Sequence, residues 1–226
     1  MKGLYISYRP THLHDRARLQ KQPNAIPYSR QLLPCLRTAL NSFSMLKPIQ
    51  CKTSAIYTVS FKKASDNTSE RYVAFFATAA NAAAEREAFR QAWQYVQSSQ
   101  ATAIYFYSSY ERTIWLRLAA RHPDVATEQN VDILFASRVT FDLYKGLVRS
   151  AMEWPTYDFS IKTIASYLEF HWRDQEPSGA ASVRWYQQFL STNDATDRQR
   201  ILDYNEDDCR AMRIIVDAVR RLQAGD

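Results

Sequence analysis

The stretch "LDYNEDDCRAM" at residues 202–212 sets three carboxylates side by side, Glu206, Asp207 and Asp208, just after Tyr204. Apolar residues around it recur at Ile201, Tyr204, Ala211, Ile215, Val219 and Leu222, the spacing of one helix face. Asp208 fills the one missing step, four residues after Tyr204 and three before Ala211. A carboxylate on the inward face of a helix is kept there only when a cation or a hydrogen-bond network compensates it. Asp208 therefore reads as a ligand. Glu206 and Asp207 fall on other faces; Glu206 reads as a solvated acid, and Asp207 as one favoured by the N-terminal end of the helix dipole. Hard divalent cations take oxygen ligands, so Asp208 points to a cation-binding centre. Such a centre needs carboxylates that converge from several elements.

The elements that must position these acids begin with a hairpin. "AIYTVSF" and "RYVAFFA" are β-branched and aromatic runs separated by the polar "KKASDNTSE". "AEREAFRQAWQYVQ" places Phe89, Trp93 and Val96 on one helix face. The unbroken apolar run "ATAIYFY" reads as a strand buried on both sides. "SYERTIWLRLAARH" follows as a helix, and "VTFDLYKGLVRSA" as a short strand entering a helix. "SIKTIASYLEF" and "ASVRWYQQFLS" read as helices with a polar loop from His171 to Gly179 between them, and residues 197–223 close the chain as a helix. A hairpin followed by alternating helices and strands implies a mixed sheet with helices on both faces.

The chain has 226 residues, 46% of them hydrophobic, enough for one large domain. Its net charge of +6 is uneven. Residues 1–50 hold eight of the 29 bases and one acid, Asp15, so the body beyond them is nearly neutral. These fifty residues show no sustained period, and residues 1–54 are expected to be an irregular basic segment able to contact phosphate nonspecifically. No CxxC pair joins Cys35, Cys51 and Cys209, which argues against a zinc knuckle or a disulfide framework. No apolar run reaches membrane-spanning length and no secretory signal is apparent, so a cytoplasmic protein without a membrane partner is expected.

"YNEDD" has the Tyr-x-x-x-Asp spacing of the third motif in the tyrosine-type branch of the DEDD exonucleases. Together with "IYFYSSYERTIWLRLA", "VTFDLYKGLVRSA" and "YDFSIKTIASYLEFHWR", in that order, it resembles the YprB-type ribonuclease-H-like domains, which are RecB-family-like nucleases. The resemblance covers residues 55–222. It implies an α/β ribonuclease-H-like mixed sheet flanked by helices, in a domain spanning 55–226. It also implies metal-dependent 3′–5′ exonuclease chemistry with two Mg²⁺ or Mn²⁺ ions. By the same resemblance Asp208, Glu111 and Asp142 are metal ligands, Tyr204 orients water, and Lys162 contacts nucleic-acid phosphate. The partners implied are DNA or RNA and a helicase or nuclease partner chain. The family's first motif, Asp-x-Glu on the first strand, has no counterpart before the hairpin; the sole Asp-x-Glu, Asp174-Gln175-Glu176, comes late and in a loop. A sheet missing its first strand and weak or absent activity are therefore expected, with a non-catalytic nucleic-acid-binding or interaction module as the alternative.

Overall fold

A computed structural model describes residues 7–8, 43–50, 56–63, 70–99, 101 and 103–224. Two strands precede the expected hairpin, β1 (Ser7–Tyr8) and β2 (Phe43–Gln50). The hairpin follows as β3 (Ile56–Lys63) and β4 (Glu70–Phe76), antiparallel with Tyr57 opposite Phe76 and Lys63 opposite Glu70. Next come helix α1 (Ala82–Ser98), β5 (Ala103–Phe106), α2 (Tyr110–Arg121) and α3 (Glu128–Ala136). Strand β6 (Thr140–Asp142) runs into a π-helical turn, Leu143–Val148, then β7 (Met152–Glu153). Helices α4 (Ile161–Tyr167), α5 (Gly179–Thr192) and α6 (Ala195–Ala224) complete the order.

The main sheet has the order β4-β3-β2-β5-β6, with β1 and β7 forming a separate antiparallel pair. Strand β2 runs antiparallel to β3 and parallel to β5, so it joins the hairpin to the parallel half. This corrects the expectation that the sheet lacks its first strand. The strand escapes sequence reading because Lys47 and Pro48 interrupt its apolar run. The proline is tolerated for a local reason. β2 pairs with β5 only through Phe43–Met45, while Pro48 lies in the half that pairs with β3 alone, where one side of the ladder asks for no hydrogen bond. The rest of the segment read as irregular, 1–6, 9–42 and 51–54, lies outside the described residues.

Strand β5 divides the core. Ala103, Tyr105 and the following Tyr107 pack with Ile164 of α4 and with Met212, Ile215, Val216 and Val219 of α6. Ile104 and Phe106 pack with Phe89 and Val96 of α1, Trp115 and Leu118 of α2, and Val131 of α3. Alternate side chains of an extended chain point to opposite faces, so an all-apolar run is what two covered faces demand. Helix ends are set by local chemistry. Asn81 accepts from the Ala84 N–H at 2.8 Å, and Ser160 and Ser178 cap α4 and α5 in the same way. Thr127 and Asn130 form a reciprocal capping box that starts α3, a helix whose short apolar pattern does not announce it. Asn193 ends α5 in the left-handed region at φ 56, a conformation asparagine tolerates. No described helix is long and apolar enough to cross a membrane.

Trp115 is fully buried, with the rings of Phe89 at 5.8 Å, Trp93 at 5.9 Å and Phe135 at 6.3 Å. Removing it leaves a cavity that these rigid neighbours cannot fill. Trp115→Ala is expected to lower the unfolding free energy by about 3–5 kcal/mol. Tyr157→Ala, at a side chain 91% exposed, should change it by less than about 0.5 kcal/mol. Urea unfolding followed by circular dichroism checks both.

Candidate functional site

Helix α6 carries the acidic turn as the sequence spacing requires: Ile201, Tyr204, Ala211, Ile215 and Val219 are buried, and Asp208 among them is 1% exposed. Its Oδ1 accepts a hydrogen bond from the Trp172 indole N–H at 2.9 Å. Asp207 is also buried, at 3% exposure, which corrects its reading as an acid of the helix's early end. The helix starts at Ala195, so Asp207 lies beyond the reach of the N-terminal dipole. What compensates it is Arg173. The Arg173 backbone N–H and its Nε each donate to the Asp207 carboxylate at 2.9 Å. The same guanidinium reaches Glu206 Oε2 at 2.9 Å, the Asp203 carbonyl at 2.9 Å and Asp203 Oδ1 at 3.2 Å. Glu206, read as solvated, is partly buried and takes a second arginine, Arg210, at 2.7 Å.

The electrostatics follow from this sharing. Burial raises the Asp207 carboxyl above the ordinary carboxylate range, and the Arg173 hydrogen bonds and charge only partly offset it. Partial burial works against the charged form of Arg173, yet the Glu206 hydrogen bond and the charges of Asp207, Glu206 and Asp203 raise its pKa above the usual value. One guanidinium divided among three acids cannot fully compensate each of them.

Beside this turn stands a line of cations and rings. The Lys162 ammonium of α4 lies 5.3 Å from the Tyr204 ring centroid and 5.8 Å from that of Trp172. Tyr204 meets Trp185 of α5 edge-on at 6.2 Å, and the Arg200 guanidinium covers Trp185 at 4.4 Å. Lys162 is thus in contact with Tyr204 and, through Trp172, is linked to Asp208.

The other two acids sit at the carboxyl ends of adjacent parallel strands, where sites in such sheets gather. Glu111, in the first turn of α2 after β5, is 0% exposed, and Asp142, the last residue of β6, is 7% exposed. The Asp142 Oδ1 accepts from the Lys145 N–H at 3.0 Å, capping the π-helical turn, and from the Ser108 N–H at 3.1 Å. Ser108 has φ 84, a left-handed conformation that costs a serine strain. Asp142 therefore fastens the strained corner from which α2 and Glu111 start.

The described residues do not assemble a complete metal-binding cluster. Among them, no three Asp, Glu, His or Cys side chains gather closely enough to hold a metal ion. The Oδ1 atoms of Asp142 and Asp208 are turned to N–H donors, and β2, the strand that would supply the first motif, reads "FSMLKPIQ" without a carboxylate. Trp172 and Arg173, the residues that organise the acidic turn, belong to a loop and escape periodicity arguments. Their only sequence signal is an unbalanced acidic turn that needs a distant cation.

Residues 47–220 match the family model of the RNase H superfamily. No curated protein and no solved structure matches the chain significantly.

Asp142→Ala strips a buried acceptor from two backbone N–H groups and should lower stability by about 2–3 kcal/mol. Asp142→Asn keeps an oxygen there and should retain most of it, as thermal unfolding will show. For Asp207 the sign follows from its raised value: the fold favours the protonated form, so this contribution is present below the ordinary carboxylate pKa and is lost as pH rises through the raised one. The stability of the parent relative to Asp207→Asn should therefore decline with rising pH across that window, then level off. Urea titrations at a series of pH values measure it.

Proposed function

This chain belongs to the RNase H superfamily, and on that footing we propose that it binds nucleic acid through a nuclease-like fold whose metal-dependent hydrolytic centre is weak or lost. One observation carries the reading. The acids of the third-motif turn are compensated by the chain's own donors, Asp207 by Arg173 and Asp208 by Trp172. An acid turned to a fixed N–H donor is a poorer partner for a divalent ion. Too few remaining carboxylates would also leave two cations repelling each other. The phosphate attraction that remains comes from bases: the positive excess of residues 1–50, with Lys162 and Arg200 at the turn itself. Cytoplasmic localisation, and a helicase or nuclease chain as partner, belong to the same proposal.

A second reading keeps hydrolysis, with Mg²⁺ or Mn²⁺ bound by Asp208, Glu111 and Asp142 and water oriented by Tyr204, as a 3′–5′ exonuclease would require. The burial of all three acids favours it, since buried carboxylates in such positions are commonly kept for chemistry.

Incubating the protein with Mn²⁺ and end-labelled single- and double-stranded DNA and RNA separates the two. The expected outcome is no digestion, with binding that weakens steeply as salt rises. Replacing Arg16, Arg18 and Lys21 together by glutamine should reduce the slope of log affinity against log salt by up to about 2, at roughly 0.7 per lost phosphate contact on a single strand. Digestion by the parent that disappears in Asp208→Asn would establish the second reading instead.

A further inference from the structure

The nuclease fold is expected to meet phosphate through divalent ions, yet the third-motif turn of this chain is flanked by two organic cations held on aromatic rings. Lys162 lies over Tyr204 and Trp172, and Arg200 lies over Trp185. Tyr204 and Trp185 contact each other edge-on, so the four residues run in the order Lys162, Tyr204, Trp185, Arg200, with a cation at each end. Both central rings are buried. Buried rings cannot stack on bases; they can hold a cation in place, because the ring face attracts positive charge. Arg200 is also fixed by Asp174, whose oxygen accepts from its Nε at 2.8 Å, while the residue stays exposed to solvent. Lys162 is half-buried on α4.

From this arrangement the geometry points to a metal-independent phosphodiester clamp, in which Lys162 of α4 and Arg200 of α6 take two backbone phosphates of one nucleic-acid strand. The inference rests on the nucleic-acid-binding reading and specifies its means. An ammonium has three N–H donors and a guanidinium five, so each can take a phosphate oxygen while remaining over its ring. Contacts of this kind read the backbone alone and carry no sequence preference.

Fluorescence anisotropy of a fluorescein-labelled oligothymidylate with the full chain tests it, over a salt series in EDTA, Mg²⁺ or Mn²⁺. The expected result is full binding in EDTA that neither metal strengthens. Lys162→Gln and Arg200→Gln should each reduce the slope of log affinity against log salt by about 0.7, the loss of one phosphate contact on a single strand. Lys162→Arg should keep the parental slope, and unchanged thermal midpoints will show that the variants are folded. Should Lys162→Gln fail to fold, Arg200→Gln and Lys162→Arg carry the comparison. Binding that appears only with Mg²⁺ or Mn²⁺ overturns the clamp but leaves nucleic-acid binding standing. Metal-free binding with parental slopes in Lys162→Gln and Arg200→Gln overturns it as well. No binding in any condition removes both the clamp and the function on which it rests.

Discussion

Acids at 203, 206, 207 and 208 can crowd within two turns of α6 because Arg173 is delivered to the first three of them from the loop after α4. Like charges on neighbouring helical positions repel, and burial of Asp207 and Asp208 adds the cost of removing their hydration. A guanidinium presents five donors in a planar fork, so it can serve several carboxylates at once where a point-like ammonium could not. The adjacent indole of Trp172 completes the arrangement by donating to Asp208. The two consecutive loop residues therefore bind the loop to α6, and with it the placement of α4 and Lys162 against Tyr204. Lose the arginine, and buried charge would have to seek water.

A second fastening works at the sheet. The corner after β5 holds Ser108 at φ 84, and strain of this kind persists only where neighbouring structure over-determines it. Asp142 supplies that constraint by accepting from the backbone of the corner and of the π-helical turn together. Adjacent parallel strands end side by side, which is why one carboxylate can reach both segments. Asp142 thus has a structural task at the ends of the two strands.

The chemistry of the site thus turns on which cations its acids and rings meet. In a two-metal nuclease the carboxylates face outward to ions, and the ions face the phosphate. Here the buried Asp207 is met by Arg173, which stays partly exposed, while Lys162 and Arg200 are carried on ring faces. The positive charge described beside the acidic turn is covalently part of the chain. The stability of the fold comes from the two covered faces of β5 and the helices packed on them, whatever the chemistry of the acidic turn.

Much of this was open to reading in the sequence, wherever the physics is local or periodic. The apolar run of β5, the hairpin and the stripe of α6 follow from the two periods of side-chain direction, and the stripe alone identifies Asp208 as an inward acid. The order of motifs was enough to indicate a ribonuclease-H-like sheet, now matched over residues 47–220. Tertiary structure decided what depends on distant residues. Strand β2 was hidden because Lys47 and Pro48 break its pattern, and only its unequal pairing with β3 and β5 shows why a proline can sit there. Asp207 and Glu206 could not be assigned from helix phase, because their compensation arrives from Arg173, 34 and 33 residues away with α5 between. Periodicity reports which face of an element is buried; it carries no information about which partner awaits a charge on that face, and that partner determines whether an acid serves a metal or the fold.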